Sequence, residues 1–153
     1  MIKKIVLWIL VILWMGLIFY FSSFNSEKST KQSKGFLYHT LGIVIDFFDK
    51  DISLEEKEII IDKLDHPIRK IAHASVYFVL GLLVCLALNE YSFNTKKLLT
   101  ISFIICFLYA CSDEIHQLFI SGRSGEIKDV IIDTCGFSLS LVIFYCFKSR
   151  NKE

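Results

Sequence analysis

Residues 5–21 read IVLWILVILWMGLIFYF, an unbroken apolar run with no charge and no proline. At about 1.5 Å per residue, this run and its Ser22 to Phe24 extension come close to the roughly 30 Å hydrocarbon core of a bilayer. Working outward, three further apolar blocks follow at 68–88, 98–120 and 130–147. The pattern predicts an all-α polytopic membrane protein with four transmembrane helices, spans about 5–24, 68–88, 98–120 and 130–147, forming one membrane domain over residues 1–153. A cleaved signal peptide is the other reading of the first block, with Lys3 and Lys4 as its basic region. The run is longer than a usual signal core and no small-x-small site follows, which favours a retained helix.

The composition excludes a soluble core. Of the 153 residues, 54% are hydrophobic and 14% aromatic, and mean hydropathy is +0.52, whereas soluble domains carry about 45–50% apolar residues in amphipathic patterns. Seventeen Lys plus Arg against sixteen Asp plus Glu leave a net charge of +1 and no basic field to hold nucleic acid. The five cysteines, Cys85, Cys106, Cys111, Cys135 and Cys146, all fall in predicted spans. An odd count in apolar runs reads as small filler, not a disulfide framework. No internal repeat, glycine-rich phosphate loop or CxxC pair points to a cofactor.

Orientation follows from the short segments. Lys3 and Lys4, Lys96 and Lys97, then Lys148, Arg150 and Lys152 crowd one side, and the positive-inside rule weighs such residues near span ends. Both termini are therefore expected in the cytoplasm, and the loop from Ser22 to His66 outside it, although Arg69, Lys70 and Arg123 pull the other way. In intact cells carrying a cysteine-free background, an impermeant maleimide should label a cysteine placed at Ser33 and spare one at Lys97. Labelling at Lys97 alone would invert the topology.

The first loop is expected to be partly helical. Ser53-Leu54-Glu55-Glu56 has capping-box spacing, predicting a short helix over Lys57 to Asp65 that Pro67, the sole proline, ends; Pro67 then suits the first turn of the second span. Leu37, Leu41, Val44 and Phe48 recur at helical spacing beside Phe36, Ile43 and Phe47, as in an interfacial helix or one packed on the bundle.

Polar residues gather at matching span ends. Ser22 and Ser23 close the first span; Arg69, Lys70 and His73 open the second; Asp113, Glu114, His116 and Gln117 fall near the end of the third; Asp129 and Asp133 open the fourth, after Arg123. Because successive spans alternate direction, these four ends share one side whichever way the protein inserts. Depths agree: His73 lies about 9 Å in from Pro67, and Asp113 about 22 Å from Leu98 on the opposite side. Ionisable groups at membrane depth are costly and mark functional sites by default. Mutual neutralisation, as Arg123 with Asp113 or Asp133, is the structural alternative.

Several chemistries fit. Asp113-x-x-His116 with Asp129 and Asp133 would offer a hard-cation or zinc ligand set, although a single carboxylate-x-x-histidine unit does not support a dinuclear site. A serine nucleophile with His73 or His116 as base has no sequence signature. The Arg and Lys residues would grip a phosphate or carboxylate of a lipid-linked or peptide ligand.

Asp113-Glu114-Ile115-His116-Gln117-Leu118-Phe119, followed by Gly122-Arg123-Ser124-Gly125, Asp129-Val130 and Asp133-x-x-Gly136, resembles the signature of the VanZ-like family of small bacterial membrane proteins. Phe21-Ser22-Ser23 and Arg69-Lys70-x-x-His73-x-x-x-Tyr77 with Gly81 fit as well, so the resemblance covers nearly the whole chain. Phe24 stands where members often have glutamine, and Ser140 where a second glycine is common. The resemblance implies a multi-pass protein of the bacterial cytoplasmic membrane; the founding member is associated with teicoplanin resistance. On this reading the chain lowers susceptibility to lipoglycopeptides, or serves the cell envelope through lipid-linked or cell-wall precursors, using an outward-facing polar pocket. Ser22, Ser23, Arg69, Lys70, Glu114, Gln117, Arg123 and Asp129 are its expected binding residues. The alternative is a membrane-embedded enzyme acting on a lipid or cell-wall precursor through Asp113, His116, Asp133 or His73.

Overall fold

The computed structural model describes residues 1–24, 35, 38–40, 43, 53–123 and 125–150. Four long helices account for its architecture: α1 (Ile2–Ser22), α2 (Leu54–Asn89), α3 (Thr95–Gln117) and α4 (Ile127–Arg150), with no strand among the described residues. All four are long and apolar enough to cross a membrane. The spans expected at 5–24, 98–120 and 130–147 match α1, α3 and α4 within a few residues, the third ending at Gln117 because residues 118–122 turn. The stripe from Phe36 to Phe48 lies outside the described residues, apart from Ile43.

The second span is different. The capping box forms as its spacing predicted, with the Glu56 amide donating to Ser53 Oγ at 3.2 Å and the Ser53 amide to Glu56 Oε2 at 3.0 Å. Pro67, however, neither ends one helix nor starts another; it sits inside a continuous 36-residue α2. Proline removes one intrahelical hydrogen bond and usually breaks a helix. Here Arg69 and Asp65 form an ion pair at 3.6 Å that brackets the proline on one helical face. Ile61 and Asp65 are also buried, so tertiary contacts outweigh the local preference.

Among the described residues, α2 and α3 touch and form the centre, while α1 and α4 each lie against both of them and do not meet. The core of Val11, Tyr77, Leu80, Val84, Leu98 and Phe137 is inaccessible to solvent. Because lipid gives no hydrophobic drive between helices, close packing and polar contacts must hold them. Both are present. A Cβ at Gly136 of α4 would fall 2.2 Å from the Ala74 carbonyl oxygen of α2, so those backbones touch. Helix α1 is fastened by Trp14 Nε1 donating to the Val76 carbonyl at 3.0 Å and by Tyr109 OH donating to the Met15 carbonyl at 2.6 Å.

The end carrying both termini has its own polar contacts. Lys3 pairs with Glu90 at 2.5 Å, Trp8 Nε1 donates to Tyr91 OH at 3.1 Å, and Lys148 donates to Asn89 Oδ1 at 2.6 Å. A cleft of about 560 Å³ between α3 and α4 lies in this half and is lined mainly by Phe103, Ile104, Leu141 and Val142. Its walls carry no charged side chain. All five cysteines are free, two of them buried.

Candidate functional site

The opposite end collects the ionisable residues. Ser22 is the last residue of α1, Arg69 to Tyr77 occupy the middle of α2, Asp113 to Gln117 close α3, and Asp129 and Asp133 lie in the first turns of α4. The connection between α3 and α4 is short, and Gly122 takes a φ of 77° that a side chain would resist. That turn brings Arg123 back over the helix ends.

Part of this cluster is internally satisfied. Lys70 of α2 pairs with Asp129 of α4, and Arg69 with Asp65. Gln117 Nε2 bridges two carboxylates, donating to Asp113 Oδ2 at 3.1 Å and Glu114 Oε1 at 3.2 Å. The second oxygen of Glu114 accepts from the Glu126 amide at 3.0 Å, pinning the loop to α3. Ser23 Oγ turns back to donate to the Phe19 carbonyl at 2.7 Å, so this hydroxyl is spent on the helix end. His116 stacks on Phe19 with ring centres 4.0 Å apart.

The remainder is buried and unsatisfied. Asp113 Oδ1, Asp133 Oδ1, Ser22 Oγ, Tyr77 OH, Thr134 Oγ1 and His116 Nδ1 are all inaccessible and have no hydrogen-bond partner among the described residues. The side chains of Ser22, Tyr77, Asp113 and Asp133 are at most 3% exposed. A buried polar atom without a partner costs about 1–3 kcal/mol, so several in one place demand an explanation. Packing alone supplies none.

A cavity of about 200 Å³ opens beside two of these atoms. Its polar wall is Ser22, His73, Tyr77 and Arg123, and its apolar wall includes Ile18, Phe21, Phe24 and Val76. Burial lowers the Arg123 pKa, while Asp113 and Glu114 oppose that shift. Among the described residues, no three His, Cys, Asp or Glu side chains are arranged to hold a metal ion. Asp129, in the expected ligand set, is engaged by Lys70.

Tyr77 is the residue that reading for charge passes over. It stands four positions after His73, on the same helical face; the family-like motif includes it, but a tyrosine in an apolar run otherwise reads as core, and its complete burial with a hydroxyl that has no partner among the described residues marks it as part of the site.

An all-helical, multi-pass membrane protein with a polar pocket at one end of its bundle is the class these features define. The chain belongs to the VanZ/LLP1 family, whose family model matches residues 7–148. No curated protein and no solved structure matches it.

Proposed function

We propose that this protein lowers susceptibility to lipoglycopeptides such as teicoplanin, or serves a related envelope function on lipid-linked or cell-wall precursors, in a bacterial cytoplasmic membrane with its polar pocket facing outward. The observation that carries this reading is the group of buried, unpartnered polar atoms beside the cavity. Such atoms are tolerated where a ligand completes them. Teicoplanin differs from vancomycin in an acyl tail that can anchor in the outer leaflet, and a pocket at that depth opposes the anchored drug selectively.

Expression in a susceptible Gram-positive host should raise the inhibitory concentration of teicoplanin more than that of vancomycin. Asp113→Ala, His116→Ala, Arg123→Ala and Asp133→Ala should each abolish the shift while the protein still reaches the membrane. Equal shifts for both drugs would indicate altered cell-wall precursors instead. No shift for either, with the protein confirmed in the membrane, removes the resistance role.

A second reading, a membrane-embedded enzyme acting on a lipid or cell-wall precursor, draws on the free Asp113 Oδ1, Asp133 Oδ1 and His116 Nδ1, which would be available to move a proton. Under that reading, the envelope lipids of expressing cells change in composition, and Asp113→Ala reverses the change.

A further inference from the structure

The cavity differs from the cluster behind it in the sign of its chemistry. Seven or more acidic and basic side chains crowd this end, yet among the described residues no carboxylate lines the cavity; its polar wall is Ser22, His73, Tyr77 and Arg123. Arg123 supplies up to five N–H donors, and the imidazole and two hydroxyls add at least one each. Ser22 Oγ and Tyr77 OH are buried and have no partner among the described residues, which leaves these donors for a ligand. The rest of the lining is apolar, with Ile18 and Phe21 from α1 and Val76 from α2. A donor-rich end against an apolar wall fits an anion carried on a hydrocarbon chain.

We infer that this cavity binds a phosphate monoester borne by a lipid chain, with Arg123, His73, Ser22 and Tyr77 on the phosphate and the chain against Ile18, Phe21 and Val76. The donor count favours phosphate over carboxylate. A monoester has three terminal oxygens for the guanidinium fork, the imidazole and two hydroxyls, whereas a carboxylate has two. Asp113 and Glu114 do not line the cavity. The inference deepens the proposed function, since it names what the pocket takes, and rests on the same pocket.

The test uses the full chain purified in a neutral detergent, with Trp8→Phe leaving Trp14 as the one indole. Trp14 bonds to the carbonyl of Val76, a cavity residue, so its fluorescence reports occupancy. Dodecyl phosphate, dodecanoate and inorganic phosphate are titrated separately. Dodecyl phosphate should bind at least about tenfold more tightly than either of the others. Equal affinity for dodecanoate would overturn the choice of phosphate, and equal affinity for inorganic phosphate would overturn the lipid source. Tyr77→Phe and Ser22→Ala should each weaken dodecyl phosphate binding about three- to tenfold, and Arg123→Gln more than tenfold. If Arg123→Gln fails to fold, the two hydroxyl variants decide, and unchanged affinity in both overturns the assignment. Resistance without dodecyl phosphate binding sinks this inference alone; tight binding without resistance sinks only the resistance role.

Discussion

Gly136→Ala should abolish recovery of folded protein, as judged by a monodisperse size-exclusion peak after detergent extraction. The added methyl would sit 2.2 Å from the Ala74 carbonyl oxygen and 2.9 Å from its Cα, and backbone atoms cannot step aside as a side-chain tip can. Ordinary overpacking costs about 1–3 kcal/mol. Here two helices of the central contact must separate, so the cost exceeds that range and reaches the whole margin of stability, about 5–15 kcal/mol for a typical domain. Gly16→Ala in α1 is the matched control, because nothing lies within 4 Å of the Cβ it would add. That variant should be neutral or slightly stabilising, since alanine is the better helix former by about 1 kcal/mol. If Gly136→Ala were recovered as well as Gly16→Ala, the close approach of α2 and α4 would be wrong.

The second large effect concerns the ion pair between those same helices. Lys70→Met and Asp129→Leu should each lower the thermal transition of the purified protein steeply, while the double variant recovers most of the loss. Both side chains are only about one quarter exposed. Removing one partner of a buried pair strands the other charge, which costs about 3–5 kcal/mol, reduced here by the residual exposure. Replacing both by apolar groups of similar size is often close to neutral. A double variant as unstable as the singles would mean that Lys70 and Asp129 act through other neighbours.

These two contacts also mark where the sequence stops being legible. That Ser22, His73, Asp113 and Asp133 end on one side follows from alternating spans alone, and the structure places them together. Which cation meets which carboxylate does not follow. Mutual neutralisation can be drawn from sequence as Arg123 with Asp113 or Asp133, whereas the ion pairs the structure shows at this end are Lys70 with Asp129 and Arg69 with Asp65. The choice depends on the rotation and axial register of each helix, which a span count leaves free. Likewise the Asp113-x-x-His116 spacing suggested paired ligands, whereas Gln117 takes one Asp113 oxygen and Phe19 stacks on the imidazole. The first contact is local to α3, one turn along the helix, whereas the second comes from α1, far away in sequence. Pro67 misled for a different reason: the breaking tendency of proline is local, and the Asp65 to Arg69 pair opposing it is visible only once the helix exists.

Helix α2 extends about 54 Å, against roughly 30 Å of hydrocarbon, so a little under half of its length exceeds what a bilayer core needs. Pro67 leaves the Lys63 carbonyl without its usual amide donor. The strut is thus softest below its projecting tip, six residues from His73. A load on the tip is taken up as bending at this joint, and the membrane half, clamped by the Gly136 contact, keeps its tilt. His73 and Tyr77 of the pocket lie on the clamped side of that joint, beside the Ala74–Gly136 contact.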